Sequence, residues 1–388
     1  MDFSLSDEQR AIYDVSRTFC EKELMPYEDL LESTGTLPRE LELEIRQKGI
    51  DAGIHACNMP TSVGGPGLGC VEYILVEKAL MRTAYALADS VRRPSNVLAA
   101  AVGEQVPHFL EPVMRGEKRE CVAITEPDAG SDARGMKTRA VRDNNEWVIN
   151  GTKHFISDVE YSDFVILFAV TGVDESPRGP RNRITCFLID LDTPGLEVAP
   201  GYKQLGYRGH TTATLILDDV RVGDWQMLGE EGEGFNLVEE FLGTGRLKVA
   251  ALCQARAERA FEIAADYAAN RKQFGQAIGK FQGIGFPLAD MAVDVRLGDL
   301  LLMNSAWKID QGSPTVLEDC AMAKLWCSEM LGRVADQAIQ TAGGMGLMSE
   351  LALERIYRDA RGERIWEGSS EIQRIIISKH LMRVRGVS

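Results

Sequence analysis

The chain has 388 residues, 45% of them hydrophobic and 26% charged, which is enough for about two or three domains with substantial cores. Its net charge of −15 argues against nucleic-acid binding, because contact with phosphates needs a basic surface. The eight cysteines form no C-x-x-C pair and the five histidines no H-x-x-x-H pair, so we expect reduced core cysteines and no metal. No apolar run reaches membrane-spanning length and no basic and apolar leader opens the chain, so we expect a cytoplasmic protein without a membrane partner.

The first part of the chain has helical periodicity up to about residue 116. Ser6 and Gln9 form the pattern of a capping box, which starts the first helix. A loop rich in glycine and proline covers residues 60–69. The pattern predicts further helices over residues 38–50, 69–88 and 95–115.

The middle part has the short, β-branched and aromatic runs of strands. These runs cover residues 121–124, 147–149, 164–168 and 184–189. Helical character then returns, and residues 235–270 contain neither a proline nor a cluster of breakers, which predicts one long helix. The chain is therefore predicted to be mainly α with a central β-domain. The expected domains cover residues 1–119, 120–228 and 229–388.

A glutamate near the C-terminus, Glu367, stands between Trp366 and Gly368. A carboxylate pressed against apolar surface loses hydration, so its pKa rises toward the range of a general base. The segment also has an ordinary explanation, since Ser369 can cap a helix running from about residue 371 to 384. The motif alone leaves both interpretations open.

Other segments combine glycines, hydroxyls and an arginine in patterns that suit a large flat ligand. They are residues 124–132 (ITEPDAGSD), 150–157 (NGTKHFIS), 270–275 (NRKQFG) and 340–346 (QTAGGMG). Each can also be explained structurally, as a turn, a core phenylalanine beside a strand, a helix-end arginine and a glycine-rich turn. The last is not a dinucleotide fingerprint, because no strand–turn–helix unit surrounds it.

Taken in order, with the segment around Glu367 behind them, these motifs resemble the acyl-CoA dehydrogenase family of flavoenzymes over essentially the whole chain. The resemblance implies an N-terminal helical domain, a middle β-barrel-like domain and a C-terminal four-helix bundle. It implies FAD bound at a subunit interface, and hence a homo-oligomer, usually a tetramer built as a dimer of dimers.

By this resemblance, one set of residues lies along the flavin and another reaches the flavin of a neighbouring subunit. The first set is Val122, Ala123, Ile124, Thr125, Gly130, Ser131, Phe155, Ile156 and Ser157, with Ser369 and Glu371 closing the site. The second set is Arg271, Phe274, Gln282, Gln340, Thr341, Ala342, Gly343 and Gly344.

The resemblance also implies α,β-desaturation of an acyl-CoA, as in fatty acid β-oxidation. Glu367 matches the family's base, which takes the α-proton while the flavin accepts a hydride and passes electrons to electron-transfer flavoprotein. Some members carry the base just before an arginine of the long helix, but Gly245 stands there and cannot titrate. The residues expected to contact acyl-CoA are Ser131, Gly243, Thr244, Gly245, Arg246 and Gly368.

Four alternatives remain open from the residues. The same scaffold serves oxidases and monooxygenases that use O₂. The chain could also be a helical oligomer that has lost FAD. Arg246 could be a helix-surface arginine. Arg92 and Arg93 could meet an acidic or polar acyl tail, or form a solvated charge pair at a helix end.

Overall fold

The computed structural model describes residues 4–175 and 179–387, apart from the side chains of residues 240 and 244. Its α-helices are α1 Asp7–Phe19, α2 Glu28–Thr34, α3 Arg39–Asp51, α4 Cys70–Leu80, α5 Tyr85–Ser90, α6 Glu111–Met114, α7 Gly234–Asn270, α8 Gln282–Asp310, α9 Val316–Ala342, α10 Leu353–Ala360 and α11 Ser370–Arg383. Its strands are β1 Glu120–Ala123, β2 Arg139–Asp143, β3 Glu146–Ser157, β4 Phe164–Asp174, β5 Arg181–Asp190, β6 Leu196–Ala199, β7 Thr212–Gly223, β8 Met227–Leu228, β9 Lys272–Gln273 and β10 Gln276–Ala277.

The N-terminal helices begin as the sequence predicts. The Ser6 hydroxyl accepts a hydrogen bond from the Gln9 N–H at 3.1 Å, and both halves of the capping box are present. The helix expected over residues 69–88 is instead split into α4 and α5. Hydrogen bonds to distant residues stabilise the break between α4 and α5. Arg259 Nη1 donates to the Arg82 carbonyl at 2.8 Å, and the Thr83 hydroxyl donates to Glu28 at 2.6 Å.

The helix predicted over residues 95–115 is wrong in its detail. The segment contains a 3₁₀ turn at Asn96–Ala100, a π-turn at Val106–Leu110 and only then the short α6. Gly103 has φ of 56°, which ends regular structure after the first turn. The prolines of the segment lack an N–H, so a regular ladder of helical bonds cannot form there.

The β-domain is an eight-stranded sheet within the described residues, in the order β6-β7-β3-β2-β4-β5-β8, with β1 paired to β4. β1 and β4 run parallel, while β3 and β7 run antiparallel. Alternate side chains of β4 enter different cores on the two faces of the sheet, as a fully buried strand requires. One face carries Phe164, Ile166, Phe168 and Val170, and the other carries Val165, Leu167 and Ala169.

The long helix α7 is present as predicted, and it packs with α8, α9 and α11 into the C-terminal bundle. All eight cysteines are free thiols, of which seven are buried and Cys70 is half-buried. None of the helices in the described residues is both long enough and apolar enough to cross a bilayer. The prediction of a mainly α chain around a central sheet is confirmed.

Candidate functional site

Glu367 lies in a strained turn just before α11. Its φ is 53° and that of Gly368 is 90°, so two consecutive residues are left-handed. This conformation is uncommon for a glutamate and persists only where its surroundings hold it. Gln373 Nε2 donates to the Gly368 carbonyl at 2.8 Å, and Lys324 Nζ donates to the same oxygen at 2.8 Å.

The helix after this turn begins as the sequence predicts. Ser369 is the N-cap of α11, and its hydroxyl accepts from the Ile372 N–H at 3.4 Å. The interpretation of the segment as a helix start is therefore confirmed, while the role of Glu367 as a base stays a prediction. The cap fixes where the preceding turn lies.

The Glu367 carboxylate is desolvated and incompletely bonded. The residue as a whole is half-buried, but its Oε2 atom is buried and has no hydrogen-bond partner among the described residues. Burial raises the pKa of Glu367 above its usual value. Three cations oppose that shift, namely Lys248, Arg246 and Lys324. Burial also lowers the pKa of Lys324 to about 8.

Helix α7 approaches this carboxylate at a glycine. Glu367 Oε2 lies 3.0 Å from the position of a β-carbon on Gly245, whereas no other atom lies within 4 Å of the same position on Gly243 in the described part of the chain. The Thr244 side chain lies outside the described residues. Arg246 is only 7% exposed, so the alternative of a helix-surface arginine is wrong.

A hydrogen-bonded aromatic cluster holds Trp366, the residue before the glutamate. Its Nε1 donates to Glu363 Oε2 at 2.5 Å, and the Tyr207 hydroxyl donates to the other oxygen of Glu363. The ring centroids of Tyr207 and Tyr85 lie 5.0 and 5.3 Å from that of Trp366. Burial raises the pKa of Glu363 well above its usual range. Tyr85, Tyr207 and Glu363 could not be identified from the sequence, because only the fold brings their segments together.

The aromatic cluster around Trp366 forms one wall of the candidate site, and the segments around β1 and β3 form a second wall. The His154 N–H donates to the Thr125 carbonyl at 2.7 Å, so the end of β1 lies beside the end of β3. Lys153 and Glu126 form a buried ion pair at 2.8 Å beneath them. The predicted residues 122–125 and 155–157 are therefore neighbours.

Phe155 projects from this wall instead of packing into the core. The register of β3 and β7 shifts between Lys153 and Ile156, which marks a bulge, and Phe155 has φ of 56° there. Its side chain is 55% exposed, so the alternative of a core phenylalanine is wrong. Gly130 and Ser131 are also exposed, and no other described atom lies within 4 Å of a β-carbon at Gly130.

The two walls are connected through His210. Asp158 directly follows Ser157, and its Oδ2 lies 3.0 Å from His210 Nδ1. The His210 ring lies 6.2 Å from the Trp366 ring, measured between centroids. Burial opposes protonation of His210, but Asp158 raises the pKa of the imidazole above its usual value.

Most of the remaining predicted residues lie on the surface of the single chain. Phe274 is 93% exposed with φ of 49°, and Arg271 forms no ion pair with any carboxylate of the described residues. Gly343 and Gly344 are exposed, and a β-carbon at either would meet no other described atom within 4 Å. Gln282 and Gln340 are exposed, whereas Thr341 and Ala342 are buried within α9.

These features fit a large flat cofactor with an anionic centre. Open glycine backbone allows close approach, exposed aromatic rings can cover a ring system, and an unpaired guanidinium suits a diphosphate. The wall formed by β1 and β3 is connected to the turn of Glu367 through His210 and Trp366. Arg271, Phe274, Gln282, Gln340, Gly343 and Gly344 are instead exposed on the surface. Such a distribution suits a ligand shared between two copies of the chain.

Arg92 and Arg93 differ from the sequence-based expectation. They are 8% and 6% exposed, so a solvated charge pair is wrong. Arg93 Nε lies 2.7 Å from Glu77 Oε1, and Arg92 pairs with Asp89 and, at 3.4 Å, with Glu120. Each guanidinium therefore already has a carboxylate partner within the chain.

Comparison with known proteins gives the same assignment along the whole chain. Sequence models of the N-terminal, middle and C-terminal domains of acyl-CoA dehydrogenases match residues 6–117, 121–220 and 232–382. The chain is 37% identical to the probable acyl-CoA dehydrogenase YngJ of Bacillus subtilis, over 99% of this chain and 100% of that protein. It is 33% identical to the caffeyl-CoA reductase-Etf complex subunit CarC of Acetobacterium woodii, over 97% of this chain and 99% of that one.

A solved structure extends the agreement to three dimensions. Butyryl-CoA dehydrogenase from Megasphaera elsdenii superposes with a TM-score of 0.88 at 32% identity, covering 99% of this chain and 100% of that one. Full-length identity above the level of chance, all three domain matches and the shared architecture agree. The chain therefore belongs to the acyl-CoA dehydrogenase family of FAD-dependent oxidoreductases.

Proposed function

We propose that this protein desaturates an acyl-CoA thioester to the trans-2-enoyl-CoA, with Glu367 as the base that removes the α-proton. The observation that carries the proposal is the buried Oε2 atom of Glu367, which has no partner in the described chain. A structural carboxylate would have hydrogen-bond partners on both oxygens and could not readily accept a proton from a substrate. Glu367 is held in a strained turn and keeps one oxygen without a partner in the described chain.

The electrostatics suit a base that must act on carbon. Burial raises the pKa of Glu367, which strengthens it as a proton acceptor, while Lys248, Arg246 and Lys324 keep the ionised form accessible. A positioned general base contributes a factor of about 10²–10⁴ to the rate. Orientation of the thioester has to supply much of the remainder.

The backbone of the same residue can stabilise charge on the thioester carbonyl. The Glu367 N–H makes no hydrogen bond to any acceptor in the described chain. A free N–H beside the base can donate to the oxygen as negative charge develops there. Glu367 would then act through both its side chain and its backbone.

FAD, when bound, supplies the acceptor for the hydride that leaves the β-carbon. We propose that the wall from β1 and β3, together with Ser369 and Glu371, holds its ring system. Arg271, Phe274, Gln282 and residues 340–344 would hold the cofactor of a neighbouring subunit. Ser131, residues 243–246 and Gly368 would contact the acyl-CoA, with Arg246 backing the turn of Glu367.

A homo-oligomer follows from this arrangement, and α8 supports it. The helix exposes a stripe of large apolar side chains at spacings of seven, four, three and seven, which place them on one face. They are Phe286, Val293, Leu297, Leu300 and Trp307, between 39% and 63% exposed. Surface of this kind is typically covered by another subunit, and we propose a tetramer built as a dimer of dimers.

We further propose that the electrons leave through an electron-transfer flavoprotein, since the similar protein CarC is a subunit of a caffeyl-CoA reductase-Etf complex. The three domains would divide at residues 1–119, 120–228 and 229–388, with the flavin between the second and third. Fatty acid β-oxidation is the metabolic setting we propose.

Anaerobic mixing with a panel of CoA thioesters tests the proposal. At least one thioester should bleach the flavin of the parent, and none should bleach that of Glu367→Gln at a comparable rate. Bleaching of the variant at the parent rate would remove Glu367 from its role. Reduced enzyme should then pass electrons to electron-transfer flavoprotein faster than to air, whereas rapid reoxidation by O₂ alone would favour an oxidase.

A further inference from the structure

We propose that Lys324 of α9 is a positioning residue for the reaction, because its ammonium holds the turn that carries Glu367. The inference rests on the proposed function, since it concerns how the base is presented to the thioester. It assigns two effects to one lysine. Lys324 fixes where the Glu367 carboxylate lies, and its charge favours the ionised form that accepts a proton.

A hydrogen bond between distant segments joins α9 to this turn. Lys324 Nζ donates to the carbonyl of Gly368, 44 residues further along the chain, at 2.8 Å. Gln373 Nε2 of α11 donates to the same oxygen at 2.8 Å and to the Glu367 carbonyl at 3.3 Å. Lys324 and Gln373 are both fully buried. The Gly368 carbonyl therefore has a donor from each of two helices, and both donors are fixed by the packing around them.

The turn needs this support because its backbone is strained. Glu367 and Gly368 have φ of 53° and 90°. The left-handed conformation of a residue other than glycine costs free energy, and it persists only where the surroundings hold it. Fixing the Gly368 carbonyl fixes the peptide plane that follows these two residues. The Glu367 carboxylate is thereby held in the room that Gly245 leaves on α7.

The burial of Lys324 indicates that its charge has a use at this position. The residues around it on α9, Cys320, Ala323 and Cys327, are fully buried as well. An ammonium that leaves water carries a desolvation penalty, and burial lowers the pKa of Lys324 to about 8. An apolar residue of similar volume would pack there without that penalty. Lysine adds a charged donor, whose hydrogen bond is roughly twice as strong as that of a neutral donor.

The charge of Lys324 acts on the same turn that its hydrogen bond holds. The titratable groups whose charges interact with it come from the turn, α7, α9 and α11. They are Glu367, Cys253, Arg246, Glu329 and Glu371. Lys324 opposes the rise in the pKa of Glu367 that burial causes. Because the ammonium is bonded to the residue that follows the base, its charge stays beside Glu367 while the turn is in place.

The competing explanation is that Lys324 fills its site and bonds a carbonyl, without any effect on the base. A double-mutant cycle between Lys324→Met and Glu367→Gln separates the two explanations without turnover. Urea unfolding of the FAD-loaded proteins from about pH 5 to about pH 8 supplies the stabilities. As Glu367 ionises, Lys324→Met should raise the unfolding equilibrium constant roughly tenfold more in the parent than in Glu367→Gln. A purely structural lysine would give equal losses in both backgrounds.

Flavin reduction by a thioester gives the second measurement. Lys324→Met should slow it on the order of 10²-fold, because a small displacement of the base has an effect of that size. The rise of the rate with pH should also move to higher pH, since a cation that favours ionised Glu367 is lost. Gln373→Leu removes the other donor to the Gly368 carbonyl and should slow reduction without that movement, because it removes no charge. Lys379→Met, at an exposed position of α11, should change neither property.

A parent rate with an unshifted pH dependence in Lys324→Met would overturn the role of Lys324, as would equal losses of stability in the two backgrounds. Bleaching of the parent flavin would still support desaturation in either case. Conversely, an excess loss in the cycle without bleaching by any thioester would support the coupling of Lys324 to Glu367 and reject the proposed reaction. If Lys324→Met does not fold, Lys324→Gln takes its place in both measurements, since it keeps a polar donor without the charge.

Discussion

Glu367 Oε2 lies 3.0 Å from the position that a β-carbon on Gly245 would occupy. The glycine therefore does more than remove an alternative base from α7. It leaves the room into which the carboxylate of Glu367 extends. The Glu367 carboxylate and the side of α7 that Gly245 leaves open therefore meet at one point.

Gly245→Ala should impair the reaction with little loss of stability. The new methyl group would displace the flexible end of Glu367, and a displacement of about 1 Å can cost on the order of 10²-fold in rate. Alanine in place of glycine within a helix contributes roughly 1 kcal/mol, which offsets much of the crowding. Stopped-flow flavin reduction and urea unfolding would measure both effects.

Gly332→Ala is the matched control for that variant. Gly332 lies within α9, and its β-carbon would come no closer than 3.9 Å to Arg364. It should gain the same helix propensity and reduce flavin at the parent rate. If Gly245→Ala also kept the parent rate, Glu367 would not need the room that the glycine leaves.

The Glu367→Gln variant should gain stability relative to the parent as pH rises. The folded protein raises the pKa of this carboxyl, so the folded state binds its proton more tightly than the unfolded state does. Below the unfolded pKa both states are protonated and the group contributes nothing. As pH rises through the raised pKa of the folded state, the parent loses stability, because the ionised carboxylate must then lie in a buried site.

Urea unfolding of the parent and of Glu367→Gln between about pH 5 and about pH 9 measures this difference. The gap should widen in favour of the variant toward high pH. Flavin reduction by the parent should follow the same ionisation, falling as pH drops. A gap that is constant with pH would mean that burial does not shift Glu367.

Glu363→Leu should destabilise both the fold and the turn that holds Glu367. The carboxyl accepts from Trp366 and Tyr207 and lies 3.4 Å from Arg256 Nη1, and leucine would leave these buried donors unsatisfied. Each buried donor left unsatisfied costs about 1–3 kcal/mol. Glu363→Gln keeps an acceptor for Trp366 and should lose much less in urea unfolding and in flavin reduction. Equal losses in the two variants would argue against hydrogen bonding as the cause.

Leu297→Glu should separate the subunits. It places a charge in the middle of the apolar stripe of α8, where an oligomer would bury it. Sedimentation should show smaller species, and purified protein should carry less FAD, because Arg271 and Phe274 are proposed to complete a neighbour's site. Val141→Glu, at a position 62% exposed on β2, should change neither measurement. An unchanged tetramer in Leu297→Glu would place the interface elsewhere.

Local chemistry explains what the sequence could predict. The capping residues Ser6 and Ser369 and the breaker-free run of α7 act through their nearest neighbours, so their patterns are visible in the sequence. The prediction of one helix over residues 95–115 was wrong. The apolar periodicity of the segment indicates a regular helix, but its glycine and prolines interrupt the backbone hydrogen bonds that such a helix needs.

Contacts between distant segments explain what the sequence could not predict. Tyr85, Tyr207 and Glu363 meet around Trp366 only after the three parts of the chain have packed. Arg92 and Arg93 look like a solvated pair until Glu77 and Asp89 are seen beside them. Trp366 was the one member of this cluster that the sequence placed beside Glu367.

Exchange of the substrate's α-proton with solvent tests the central claim most directly. A bound acyl-CoA in D₂O under anaerobic conditions should take up deuterium at the α-carbon with the parent, as mass spectrometry of the recovered thioester would show. Glu367→Gln should bind the same thioester and incorporate almost none. Exchange by that variant at the parent rate would show that another group removes the proton, and would contradict the account.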